Sequence, residues 1–388
     1  MTKMNLYLKN KTITHIFLLI LITSCGTSGS LNELIEKEEE IFIKKTNFKS
    51  GINQFPSEIN IIITNKNQSQ EQILEGIFAN YFYYKENKGY SPKIIIQYIN
   101  LNSDKSNCAV DLKSSNFTFL VVSEKDFRIP VKCRNLFQRL NGIQILTGEA
   151  QKINGTRLYP FEVKEGNKEI IIDHARLSNN NAIILDQKKD KNKIEIENLW
   201  ISSGGIVLES EKIDLQNITE VIPRNLFIDE SQKRQKKLRN LIRASLEVTP
   251  RSRQDADALI LSTSLSNARS LKPSLEYNYG ERISVYLIPT WNNVEDYKTK
   301  ELDLEGTVFI EMPWIAGLNP DFKLNQDIKR NRDFAVGYDS YEIFLLLSSR
   351  EKVNYQGLSG KITTSQSMIL RQDILIEVKE GEILPIGY

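Results

Sequence analysis

Histidine is nearly missing from this chain of 388 residues: there are two, His15 and His174, and only His174 lies beyond the N-terminal stretch. That shortage excludes any Ser-His-Asp triad or zinc cluster relying on two or more histidines. Cysteine is almost as scarce, at Cys25, Cys108 and Cys133, and no local motif marks Cys108 or Cys133 as a nucleophile. An excess of one charge is also lacking. Lys and Arg number 51 against 49 Asp and Glu, a net of +2, so no global field would hold a nucleic acid and none is expected as a partner. No G-x-x-x-x-G-K-[ST] loop or G-x-G-x-x-G turn follows a strand-like run, which leaves nucleotide binding through those devices unsupported. After the N-terminus no segment approaches the roughly twenty apolar residues that a membrane-spanning helix requires. Carboxylate pairs such as Asp255 with Asp257 read as caps or solvated faces. No catalytic group, metal or cofactor is therefore expected.

What is present begins at the N-terminus. Lys3, Lys9 and Lys11 precede an apolar run from Ile13 to Ile22, and Ile22 to Cys25 (ITSC) forms a small-residue cleavage site ending on cysteine. The run is too short to span a bilayer, and the arrangement resembles the lipobox of bacterial lipoproteins. Residues 1–24 are then a signal peptide. Cys25 carries the lipid, at about 0.8 kcal/mol per buried methylene. Gly26, rather than Asp, follows it, which resembles the outer-membrane-directed pattern and places the body in the periplasm. Residues 25–55 are polar and read as a tether. In that oxidising compartment Cys108 and Cys133 are either a disulfide, worth about 3 to 4 kcal/mol, or two buried thiols.

After Pro56 the texture changes. Apolar runs of strand length, at Ile59 to Thr64, Lys93 to Ile99, Phe117 to Val122, Gly142 to Leu146, Ala182 to Leu185, Ile206 to Leu208, Ala258 to Leu261, Val285 to Ile288 and Thr307 to Ile310, alternate with room for helices. Strand-helix-strand order requires crossovers, hence mainly parallel sheets flanked by helices. The pattern predicts an α/β chain of two lobes. From Ser359 to Pro385 helical period disappears, and a β-hairpin-like terminal element is expected.

One local charge run stands out: Lys233, Arg234, Lys236, Lys237, Arg239 and Arg243 follow Asp229 and Glu230. A helix starting near Asp229 puts Leu238, Leu241 and Ile242 on one face and the bases elsewhere. It is either a patch for an anionic partner or a solvated face.

The next stretches carry a resemblance. Arg251 to Leu261 (RSRQDADALIL), Asn267 to Leu275 (NARSLKPSL) and Val285 to Trp291 (VYLIPTW) are similar to the C-terminal domain of the penicillin-binding-protein activator lipoproteins, the LpoA/LppC family. So, in the same order, are Phe227 to Gln232 (FIDESQ), Glu311 to Trp314 (EMPW), Ala335 to Tyr341 (AVGYDSY) and Gly357 to Lys361 (GLSGK). The resemblance implies a type I periplasmic-binding-protein fold, with residues 56–172 and 319–356 in lobe one, 173–318 in lobe two and 357–388 in the terminal β element. It implies a regulator and no catalysis: from the outer membrane, such a protein contacts a bifunctional peptidoglycan synthase and stimulates it. Well-known members carry a large helical-repeat domain before this one, where this chain has the short tether. The partner surface expected is Arg234, Lys237 and Arg239. Thr64, Asn65, Trp291 and Trp314 are the cleft candidates, with core packing the alternative for both tryptophans. The rival reading of the same fold is a receptor for a small polar ligand.

Overall fold

The computed structural model describes residues 55–64, 67–99, 117–122, 133–146, 157–163, 167–187, 193–214, 217–242, 249–290, 297–318, 330–365 and 368–387. Residues 1–54, with the expected signal peptide, tether and Cys25, and also Asn65, Cys108 and Trp291 lie outside them.

The chain begins with β1 (Glu58–Ile63), whose isoleucines fill both faces, and α1 (Gln68–Lys88). Asn67 caps α1 by accepting from the Gln70 amide at 3.0 Å, and Gly89 ends it at φ 66°, a left-handed position suited to glycine. Next come β2 (Lys93–Tyr98), β3 (Phe117–Val122), α2 (Arg134–Arg139), β4 (Asn141–Leu146) and β5 (Arg157–Val163). The chain then builds α3 (Asn167–Arg176), β6 (Asn181–Gln187), α4 (Lys193–Ser202), β7 (Ile206–Ile213), α5 (Ile218–Asn225) and α6 (Ile228–Ile242). It continues through β8 (Ala258–Thr263), α7 (Leu265–Tyr277), β9 (Ser284–Pro289) and β10 (Thr307–Glu311) to the long helix α8 (Arg332–Ser348). The end is all strand: β11 (Asn354–Gly357), β12 (Gly360–Ser365), β13 (Met368–Gln372), β14 (Ile374–Lys379) and β15 (Glu382–Pro385).

These strands make two sheets. The first is eight-stranded in the order β11-β12-β13-β5-β4-β3-β1-β2; the second is seven-stranded, β15-β14-β10-β9-β8-β6-β7. Pairing is parallel wherever a helix connects the strands, and antiparallel at β11/β12, β12/β13, β10/β14 and β14/β15. The chain is a mixed α/β protein with two mainly parallel sheets flanked by helices, as its alternating pattern predicted. The C-terminal segment differs in one respect. The stretch from Ser359 to Pro385, expected as one β-hairpin-like element, divides at Asp373, so that β13 completes the first sheet and β14 and β15 complete the second. The polar triplet Arg371 to Asp373 stands where the chain changes sheet.

Helix α8 is buried nearly all round, from Phe334 to Leu346, and packs along α1. The approach is close because both helices have glycine at the crossing. A Cβ on Gly76 would lie 2.1 Å from the Phe334 carbonyl oxygen, and one on Gly337 would lie 2.1 Å from that of Ile73. The apolar core of the first lobe surrounds this pair, with Ile73, Ile77, Phe119, Tyr341 and Phe344 at its centre. Phe334, Ala335, Tyr338 and Leu358 belong instead to the core that includes Leu259, Leu271 and Phe309 of the second lobe. The far face of the second sheet closes over Ile172, Ile196 and Trp200. Cys133 is buried and disulfide-bonded, its partner lying outside the described residues.

Because neither backbone can yield at the crossing, Gly337→Val is expected to destabilise the protein by at least the usual overpacking cost of about 1–3 kcal/mol. Urea denaturation should show a lowered midpoint, whereas Ala79→Val on the same α1 helix, whose side chain is only partly buried, should shift it far less.

Candidate functional site

The chain passes between the sheets after β5, after β10 and between β13 and β14. Polar side chains join these passages. Glu311, at the end of β10, is 1% exposed and accepts from the Met312 amide at 2.8 Å, the Tyr297 hydroxyl at 2.6 Å and Nε of Arg332 at 3.1 Å. The Arg332 fork closes on its second oxygen. Arg332 stands in the first turn of α8, whose Asn331 cap accepts from the Phe334 amide at 2.7 Å. Burial alone would lower Arg332, but Glu311 and Tyr297 outweigh it and keep the guanidinium charged. Tyr297 is pushed well above its ordinary value, by burial first and then by the Glu311 charge.

Asp373 lies on the passage between β13 and β14. Its carboxylate accepts from Asn167 Nδ2 at 2.8 Å, at the head of α3, and pairs with Arg371. Burial raises its pKa, with the Arg371 charge opposing. Each passage thus contributes to a largely buried, hydrogen-bonded junction in which removing one charge would strand the other, a cost of about 3–5 kcal/mol for a buried pair.

A second polar contact unites two of the motifs singled out in the sequence. Asp339, 1% exposed on α8, accepts from the Leu358 amide at 3.0 Å with one oxygen, and from the Ser359 amide at 2.6 Å and hydroxyl at 2.5 Å with the other. A Cβ on Gly357 would stand 2.6 Å from both carboxylate oxygens, so glycine is required where the turn closes on the acid. Burial raises Asp339 to about 7, against the lowering by Ser359 and Leu358, with Glu342 adding to the rise. The Tyr84 hydroxyl donates to both oxygens of Glu342 at 2.9 Å.

The candidates named from sequence fall as follows. Thr64 is buried, its hydroxyl donating to the Val121 carbonyl at 3.2 Å. Trp314 is 4% exposed and packed in the core. Its ring stacks on Phe334 at 5.6 Å and carries the Arg330 guanidinium at 5.7 Å, and its amide donates to the Leu358 carbonyl at 3.0 Å. His174 is half-buried beside Tyr286, with ring centres 6.3 Å apart. Asp255 holds Arg253 through a two-pronged pair, and Asp257 accepts from the amides of Asn180 and Asn181, so both acids fix the start of strands. On α6, Ile228 and Ser231 are buried and the Ser231 hydroxyl accepts from the Arg251 amide at 2.9 Å. Arg234, Lys237 and Arg239 are exposed on that helix, as are Leu238, Leu241 and Ile242. Sequence reasoning missed Tyr297, Arg332 and Asp373, which no local motif marks.

Residues 199–376 match the family described as LppC putative lipoprotein. Over this stretch the chain is similar to the LppC family. A similar protein, the penicillin-binding protein activator LpoA of Aliivibrio fischeri, is 26% identical over 156 residues, which span 37% of this chain and 26% of that protein. The match therefore covers about a quarter of the relative's length. Among solved structures, the LpoA (YraM) C-domain from Haemophilus influenzae, described as a regulator of PBP1A, superposes with a TM-score of 0.50 at 13% identity, covering 85% of this chain and 100% of that domain. A putative branched-chain amino acid ABC transporter protein from Chromobacterium violaceum gives the same TM-score at 14% identity over 82% of this chain and 99% of its own. Both show the fold: two-lobed and of the periplasmic-binding-protein type.

The Asp339 contact gives a signed pH dependence. An unfolded Asp titrates near 3.9, so between about pH 4 and 7 the native carboxyl holds a proton that the unfolded chain releases. Stability from this group is full at the acid end and is lost as pH rises toward 7. Asp339→Asn leaves an NH2 group facing an amide or hydroxyl donor and should cost about 1–3 kcal/mol. In urea titrations the gap between the two proteins should narrow from pH 5 to pH 8, because only the wild type loses stability through this group.

Proposed function

We propose that this chain is a lipoprotein anchored to the outer membrane through Cys25 and facing the periplasm, where it binds and stimulates a bifunctional peptidoglycan synthase. It acts by protein contact and catalyses nothing. The observation that carries the reading is the LppC match over residues 199–376, a stretch that holds the basic helix α6, the Glu311 junction and the Asp339 contact. The Aliivibrio fischeri relative is a penicillin-binding protein activator and the Haemophilus influenzae domain a regulator of PBP1A, which supports a synthase as partner. The N-terminal residues Lys3 to Cys25 supply the lipobox, and no helix among the described residues is long and apolar enough to cross a membrane. Arg234, Lys237 and Arg239 are the partner-facing cations in this reading. The rival reading as a small-ligand receptor draws nothing from Thr64, whose hydroxyl is already bonded to Val121.

The full chain should raise the rate of glycan polymerisation by one of the organism's bifunctional synthases; a chain that neither binds nor stimulates any of them would sink the reading. Reversing Arg234, Lys237 and Arg239 to Glu should weaken synthase binding by about tenfold at low salt, with the difference shrinking as salt is added. Cys25→Ser should move the protein from the outer-membrane fraction to the soluble periplasmic one; retention at the membrane would remove the anchor from the proposal.

A further inference from the structure

Helix α6 has one side that is half used. Ile228, Ser231, Gln235, Leu238 and Ile242 follow one another at steps of three, four, three and four residues, the spacing that keeps a single seam along a helix. The first part of the seam packs on the protein's own second lobe, with Ile228 4% and Ser231 6% exposed. The second part does not: Leu238 is 46% and Ile242 52% exposed, and Leu241 beside them is 80% exposed. Arg234 and Arg239 flank the seam, one position before Gln235 and one after Leu238, whereas Lys233 and Lys236 point to the other side.

Resting on the synthase reading above, we infer that the open half of this seam, Leu238 and Ile242 with Leu241 at its border, receives a helix of the synthase that is apolar along one stripe and acidic at the stripe's edges. The step of three and four suits the side chains of a second helix lying alongside. Arg234 and Arg239 then stand where flanking residues of the incoming helix pair with them, which calls for Asp or Glu. The other occupants fit less well. A bilayer is flat and needs the whole stripe, but its first half is covered by the second lobe. A second copy of α6 would bring Arg234 and Arg239 against the same cations.

The test is the affinity of the full chain in detergent for the purified synthase it stimulates, measured for three double variants whose thermal midpoints match the wild type. Leu238→Ser with Ile242→Ser should weaken binding by about tenfold or more at every salt concentration, as truncation of a buried anchor does. Arg234→Glu with Arg239→Glu should weaken it as much at low salt and less at high salt. Lys233→Glu with Lys236→Glu should stay within about twofold of wild type, since these positions face away from the seam. Equal losses in the last two variants, with none in the first, would reduce the helix to a diffuse charge and overturn the inference. Two further results would overturn it: binding of phosphatidylglycerol vesicles that depends on Leu238 and Ile242, or a concentration-dependent dimer abolished by the same pair. Synthase binding that ignores Leu238 and Ile242 overturns the seam alone, whereas a chain that binds no synthase removes the function proposed above as well.

Discussion

The contact on which the rest depends is the backbone approach of α1 and α8 at Gly76 and Gly337. Each glycine leaves room for a carbonyl oxygen of the other helix, about 2 Å from where a Cβ would be. Once α8 is fixed at that depth, its other partners fall into place along its length. Arg332 in the first turn reaches Glu311, Phe334 stacks on Trp314, and Asp339, two residues past Gly337, meets the amides of Leu358 and Ser359. A helix standing an ångström farther out would lose every one of these distances, because hydrogen bonds weaken steeply beyond their normal range.

The two polar clusters do different physical work. At the passages between the lobes, charges of both signs are buried together, and Glu311 with Arg332 and Asp373 with Arg371 neutralise one another. Such pairs add little net stability against an apolar alternative, but they permit one arrangement and punish others. Asp339 is held differently: its partners are two backbone amides and a hydroxyl. It serves as a cap for a turn, and burial, with the Glu342 charge adding, raises its pKa to about 7 against the lowering by the Ser359 and Leu358 hydrogen bonds.

Much of the architecture was legible because parallel strands buried on both faces read as short continuous apolar runs. Ile59 to Ile63, Phe117 to Val122 and Ala258 to Leu261 fall within strands. β5 was not seen: its sequence RLYPFEV alternates poorly and holds Pro160, a residue that argues against an interior strand. Asp373 closes the polar triplet Arg371 to Asp373 between two apolar strands. Its partner Asn167 is 206 residues away in sequence, a distance no local pattern spans. The basic helix was legible in position and charge, and so were the apolar residues Leu238, Leu241 and Ile242. That the domain ends beneath Ser231 and leaves them uncovered was not, since exposure is a property of what lies opposite.

The break at Asp373 also bears on when this chain can fold. β13 completes the first sheet and β14 the second, so both lobes wait for strands at the extreme C-terminus. α8, which fills the first core, is itself separated from β1 by β6 to β10 of the second lobe. During synthesis from the N-terminus, the first sheet lacks a strand until β13 emerges and the second until β14 and β15 do, so premature closure of either lobe on the ribosome is disfavoured by topology alone.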